Sequence, residues 1–224
     1  MNRWTNIQKT IIVQLYSRVK ADMTAIEEKQ FKSVDYNDPM VGRILDAAEQ
    51  CIHRFGIRRT SMGEVARVGK LSRGSIYRHF ADKDALVEGV FRRRQIEFLN
   101  TAEAALEKET SLVDKVTLSV MLGRENMHQG IFASLAETEP ETVAMMLLGS
   151  RFYSRSVEFW PPHIEMSQAT GEISRDQNLD LATDFVMRLA VSLVMFPDMG
   201  ASLESADEVR DYLQRAITVG LGDY

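Results

Sequence analysis

Apolar residues recur along this chain at three- and four-residue steps, without sustained apolar/polar alternation. The pattern predicts helices and no sheet, and no Asn-Gly or Asp-Gly hairpin turn interrupts it. Asp38-Pro39 reads as an N-cap followed by proline at the first helical position, where its missing N–H costs nothing. Behind it, Val41, Ile44, Leu45, Ala48, Ile52 and Phe55 form one stripe, and Gly56 closes the helix. Ser61-x-x-Glu64 is a capping box opening a short helix to about Val68. Gly69-Lys70-Leu71 makes a tight turn, Ser72 caps a third short helix ending near Phe80, and Asp82 caps a long fourth helix to about Lys108. Further helices are predicted near 112–123, 126–136, 140–159, 162–170, 179–196 and 205–219. Trp160 precedes Pro161-Pro162, so the chain is expected to leave the α region and break or kink there. Gly171 stands where a helix C-terminal glycine belongs.

Composition narrows the class without naming it. The 224 residues suit one or two domains, and 45% hydrophobic with 26% charged residues is an ordinary globular balance. No window approaches a membrane span, and Arg3, Lys9, Arg18 and Lys20 leave no signal-peptide core. A single cysteine, Cys51, excludes an intramolecular disulfide and a multi-cysteine zinc site. The expected compartment is the cytoplasm. His53, His79, His128 and His163 show no metal-ligand spacing, and GxSxG, GxGxxG and P-loop patterns are absent, so we expect no catalytic residue, no metal and no cofactor. Charge is more informative than its total of −5. Residues 40–94 hold 12 Lys/Arg against 6 Asp/Glu, whereas residues 95–224 hold 9 against 21. A basic segment joined to an acidic remainder fits one end that meets phosphates and another that avoids them.

Two short helices around a three-residue turn, behind an amphipathic helix, make a helix-turn-helix within a three-helix unit. The residues sharpen this. Thr60-Ser61-Met62-Gly63-Glu64-Val65-Ala66, then Leu71-Ser72-Arg73-Gly74-Ser75-Ile76-Tyr77-Arg78-His79-Phe80 and Lys83, resemble the DNA-binding region of the TetR family of bacterial transcriptional regulators, over roughly residues 40–90. Two positions depart from that family. Its usual Ala-Gly turn is Gly69-Lys70 here, so either Lys70 is left-handed, at a cost of about 1 kcal/mol, or the turn is displaced by one residue. Gly63 falls where many members carry a longer polar residue near the phosphates. The resemblance implies an all-α fold with residues 39–88 as the DNA-binding domain, 89–224 as the ligand-binding and dimerisation domain, and 1–38 as an extra N-terminal helix or arm.

The DNA-contact set is Thr60, Ser61, Ser72, Arg73, Gly74, Ser75, Tyr77, Arg78, His79 and Lys83. Ser72 caps the recognition helix; Arg73, Ser75 and His79 reach bases or phosphates, arginine being suited to guanine. Family resemblance makes Thr60, Tyr77 and Lys83 phosphate contacts. Ile76 and Phe80 belong to the core, and Arg92, Arg93 and Arg94 read as a solvated face. Between Phe185 and Phe196 the only charge is Arg188, and a helix apolar nearly all round is buried on several sides. With the stripe on the last helix it resembles the family's homodimer interface, carried by Phe185, Leu189, Leu193, Phe196, Val209, Leu213 and Ile217. Eight of the twelve methionines lie beyond residue 94. Met121, Met127, Met145, Met146 and Met187, with Phe152, Tyr153, Phe159, Trp160 and Arg124, are compatible with an apolar effector cavity between helices. The expected partners are therefore a double-stranded DNA operator, a second copy of the chain and a small hydrophobic effector, without a membrane. Ile12, Tyr16, Val19, Met23 and Ile26 form a heptad-like seam, too short to stand alone. It either braces the DNA-binding unit or brings Arg3 and Lys9 near phosphates, unless translation starts at Met23 or Met40.

Overall fold

In the computed structural model, which describes residues 34–147, 150–197 and 203–222, short polar side chains set where most helices begin. α1 (Pro39–Arg59) starts where the Asp38 carboxylate accepts the Met40 N–H at 2.7 Å. α2 (Met62–Gly69), α3 (Arg73–His79) and α4 (Lys83–Leu106) start behind Ser61, Ser72 and Asp82, each accepting an N–H three residues on. Ser111 does the same for α5 (Leu112–Met127). Then follow α6 (Gly130–Thr138), α7 (Pro140–Leu147), α8 (Ser150–Val157) and α9 (Pro161–Thr170). Asn178 and Ser205 cap α10 (Leu179–Met195) and α11 (Ala206–Leu221). No strand occurs among the described residues, and the fold is all-α. The heptad-like seam at Ile12–Ile26 lies outside the described residues.

Several local expectations change in detail. The Ser61 box is half formed: Ser61 Oγ accepts the Glu64 N–H at 3.2 Å, but the Glu64 carboxylate turns to Arg67 instead of returning to the cap. The reciprocal box occurs at Ser205 and Glu208. Gly56 ends the regular part of α1 at φ +76°, after which one more turn runs to Arg59. α5 runs past its expected end near 123, because Gly123 is a packing glycine: a Cβ there would stand 2.8 Å from Val194. The following helix accordingly begins at Gly130 rather than 126, with Gly130 at positive φ. The chain breaks before Pro161 as expected, yet Trp160 itself keeps right-handed helical dihedrals (φ −84°, ψ −29°). The break comes from i→i−3 bonds of the Phe159 and Trp160 N–H groups. Gly171 caps α9 in the left-handed conformation.

Two apolar cores result. The first gathers α1, α2 and α3 around Ile44, Leu45, Ile52, Ile76 and Phe80, together with the start of α4 and with Ile131, Phe132 and Leu135 of α6. The second surrounds α5, which packs on α10 and α11, and holds Val116, Val120, Ile164, Val186, Leu213 and Ile217. Burial of these branched and aromatic side chains is the main force holding each core, at about 1.5–3 kcal/mol per fully buried side chain. Phe152 packs against both.

α4 is fixed to α1 by charge as well as by packing. Arg93 pairs with Asp46 at 2.6 Å and Glu49 at 2.7 Å, and Arg94 pairs with Glu49 and Glu97. Arg92 lies over the Tyr36 ring. These arginines are not a free solvated face: besides Glu97 on α4 itself, Arg93 and Arg94 are held by Asp46 and Glu49 of α1, more than forty residues away, of which helical periodicity along α4 gives no sign.

Candidate nucleic-acid interface

The turn between α2 and α3 explains the departure at Gly69-Lys70. Lys70 adopts φ 51°, ψ 46°, the only non-glycine positive φ among the described residues. Glycine is needed one position earlier, since a Cβ on Gly69 would lie 2.9 Å from the Ala47 Cβ and 3.0 Å from Leu71. Close approach of α2 to α1 therefore takes the glycine, and Lys70 bears a left-handed strain of about 1 kcal/mol.

α3 then presents a polar face held from below. Ile76 and Phe80 are fully buried in the first core. Ser72 Oγ accepts the Ser75 N–H at 3.0 Å and is 2.9 Å from Ser75 Oγ, which in turn accepts from the Arg78 guanidinium at 3.1 Å. Ser61, Ser72, Arg73, Gly74 and Arg78 are exposed, Ser75 and His79 half-buried, and Tyr77 is 50% exposed despite its aromatic ring. At the base of this face the Lys83 ammonium donates to the Arg58 carbonyl at 3.0 Å. Arg58 and Arg59 are exposed at the end of α1, next to the α2 N-cap, and Arg59 extends the same basic surface while Arg58 is paired with Glu141. Sequence reading passed over them, although the run Arg58-Arg59 before Thr60 was visible. One member of the set is displaced. Thr60 is 3% exposed, and its hydroxyl donates to the Gly56 carbonyl at 2.8 Å, so it closes α1 and offers nothing at the surface.

A second link joins this unit to the rest of the chain. Glu139, between α6 and α7, is buried against Gly56, and its Oε1 accepts the Arg58 N–H at 3.0 Å. Arg58 also pairs with Glu141, and Ser134 donates to the His53 carbonyl at 2.9 Å. No periodicity signals such contacts, because their partners are about eighty residues apart.

Residues 44–90 match the family model described as bacterial regulatory proteins, tetR family. These residues of the chain are thus similar to the DNA-binding domain of TetR-family transcriptional regulators. The chain's helix-turn-helix is the DNA-binding element of that family. Over 183 residues it is 24% identical to the HTH-type transcriptional regulator UidR of Escherichia coli, covering 77% of this chain and 86% of UidR. In fold it is similar to the fatty acid degradation regulator FadR from Bacillus halodurans (TM-score 0.57, 16% identity, 80% of this chain and 97% of FadR). It is also similar to FadR from Bacillus subtilis in complex with stearoyl-CoA (TM-score 0.53, 15% identity, 79% and 98%). No helix among the described residues is long and apolar enough to cross a membrane.

The residues expected around an effector are distributed unevenly. Met121, Phe152, Tyr153 and Phe159 pack on the second core, in which Trp160 and Met187 are buried. Met127 packs on the first core instead. Met145 and Met146 fall in α7, outside the described side chains. Arg124 is taken up by structure: its guanidinium donates to the Leu193 carbonyl at 2.8 and 3.0 Å and to the Leu203 carbonyl at 2.6 Å. That caps the end of α10, so the Arg124 guanidinium is engaged by backbone carbonyls.

The expected interface set also divides. Val209, Leu213, Ile217 and Leu193 are buried within the chain's own second core, so they have no surface to offer a partner. The buried members of the α11 stripe, expected to face a second copy, pack on α5 of their own chain. Phe185 and Leu189 are half-buried, the Phe185 ring lying against Gly220 of α11, and Phe196 is exposed. Leu181 (62% exposed), Tyr212 and Val219 (65%) stand on the outer faces of α10 and α11.

Proposed function

We propose that this regulator is a ligand-responsive repressor that binds palindromic operator DNA as a homodimer and is released by a small, largely apolar molecule. Residues 39–88 then form the DNA-binding domain and 89–224 the effector and dimerisation domain. The observation that carries the reading is the exposed face of α3: Tyr77, Arg73 and Arg78 stand outside the core on a short helix whose other side is fully buried. In a helix-turn-helix that face enters the major groove, and two-fold DNA needs two such helices about 34–36 Å apart. The outer apolar faces of α10 and α11, with Leu181, Phe185, Leu189, Phe196, Tyr212 and Val219, support a second copy as the partner.

Effector response has two routes into the DNA-binding unit. α4 begins in the first core and ends against α5, and Glu139 is lodged at the Gly56 break just before the helix-turn-helix. A ligand that alters the packing of α5 to α8 shifts one or both, and needs only a different affinity for the two arrangements. A coupling of about 1–3 kcal/mol changes operator affinity roughly 5- to 150-fold.

The test has three steps. Genomic fragments retained by the protein define the operator. A panel of fatty acids, acyl-CoA thioesters and hydrophobic drugs is screened by thermal shift; stearoyl-CoA bound to the B. subtilis neighbour makes acyl-CoAs a natural first choice. Any hit is then titrated with and without operator. Reciprocity requires operator to weaken the ligand by the factor by which ligand weakens the operator, and a ligand indifferent to DNA contradicts release.

A further inference from the structure

Arg73 opens α3, yet its guanidinium lies over the first turn of α2. A Cβ at position 63 would stand 2.6 Å from a terminal guanidinium nitrogen, 3.3 Å from Cζ and 3.4 Å from Nε. With glycine there, the guanidinium can rest against the α2 backbone, and a side chain at position 63 would push it aside. The neighbouring Glu64 carboxylate is held by Arg67 through two hydrogen bonds. Arg73 itself is exposed and makes no hydrogen bond or ion pair among the described residues. Its charge is therefore available, and the bare Gly63 leaves room for it beside the facing helix.

That placement separates two uses of an arginine. In a helix-turn-helix the second helix enters the groove while the first crosses the sugar-phosphate backbone. Arg73 belongs to the second helix by sequence, but its charged end lies with the first. We propose that Arg73 is a phosphate clamp and not a base reader, and that Gly63 is the residue that admits it. The inference rests on the DNA-binding reading of α3 and assigns the contact within it. The planar fork of arginine suits two oxygens of one phosphate.

The two roles differ in what they do to specificity. A base contact, when lost, relaxes preference at one position; a phosphate contact, when lost, weakens every sequence alike and lowers the salt dependence. The experiment uses the full chain, the selected operator, a set of single-base variants of it and an unrelated duplex, titrated by fluorescence anisotropy at several salt concentrations. Arg73→Ala should weaken all duplexes by about tenfold or more while their rank order stays fixed. The slope of log affinity against log salt should fall by about 0.9 for each Arg73 lost. In the Arg73→Ala background, Gly63→Lys should recover much of the affinity and slope, because it returns a cation to the same seat from the other helix. Circular dichroism checks that each variant is folded. Arg73→Ala that relaxes one base position while binding to the unrelated duplex is unchanged overturns the clamp and leaves DNA binding by α3 intact. If Tyr77→Ala and Arg78→Ala leave operator affinity untouched, the DNA-binding reading of α3 fails, and the clamp fails with it.

Discussion

Tyr77 and Tyr153 show how differently the two parts of the chain use the same side chain. Tyr77 stands half exposed on α3 with no hydrogen bond among the described residues. Tyr153, on α8, donates its hydroxyl to Asp184 of α10 and lies beside Arg188. Burial and that acidic partner push its pKa up to about 12. The arginines repeat the contrast: Arg73 is exposed and unpaired, Arg124 is bonded to the Leu193 carbonyl near the end of α10 and the Leu203 carbonyl ahead of α11. Around the first core, polar groups on the outer face carry little of the fold's stability. Around the second, they replace backbone partners that helix ends lack. Tyr77 and Arg73 on α3 are free to serve a partner, whereas Tyr153 and Arg124 are committed to the fold.

The largest effect that follows is on Leu213. Leu213→Asp places an unpaired carboxylate in a fully buried site of the second core, and should cost more than about 4 kcal/mol and unfold much of the chain. Leu181→Asp, on the outer face of α10, should leave stability within about 0.5 kcal/mol and shift the assembly towards monomer in sedimentation. A folded monomer from Leu213→Asp would put the partner surface back on the stripe where periodicity first placed it.

Arg124→Ala comes next. Its loss leaves the Leu193 and Leu203 carbonyls without their donor and should destabilise by about 1–3 kcal/mol, read as a lowered denaturant midpoint. Tyr77→Ala, by contrast, should stay within about 0.5 kcal/mol of wild type. Equal losses in the two variants would erase the distinction between the regions.

This contrast also explains which parts were legible. Caps, turn and core stripe of α1 to α4 are local: Asp38, Ser61, Ser72 and Asp82 each act within three residues, so reading the chain in order finds them. The left-handed Lys70 was foreseeable for the same reason. In the second region the decisive partners are remote. Glu172 closes the start of α5 by accepting the Leu112 and Val113 N–H groups, and Gln95 reaches the Phe152 carbonyl and the Ser156 hydroxyl. No spacing along one helix reveals such pairs. Thr60 failed for a related reason: a hydroxyl at a helix start suits a phosphate contact and a backbone bond equally, and only the Gly56 break decides between them.

The smallest stability effect is a pH dependence in the second region. His163 is buried between Lys115 of α5 and Glu103 of α4, 3.5 and 3.6 Å from its two ring nitrogens. Burial first, then Lys115, lower its pKa from the usual 6.5, while Glu103 opposes them. The unfolded chain thus binds a proton that the folded one resists. Stability present above about pH 6.5 should decline as pH falls towards the folded value, with a slope of at most about 1.4 kcal/mol per pH unit from this group. His163→Gln should flatten that decline, measured as denaturant midpoint against pH. Superimposable curves would show that His163 plays no part in it.

The central claim is that the exposed face of α2 and α3 meets DNA while the second core does not. Amide hydrogen exchange on the full chain, with and without the selected operator, tests it directly. The account predicts slowed exchange over residues 61–83 on adding operator, absent when buffer replaces the DNA and lost in Tyr77→Ala at the same concentration. Protection confined to residues beyond 110, with 61–83 unchanged, would contradict it.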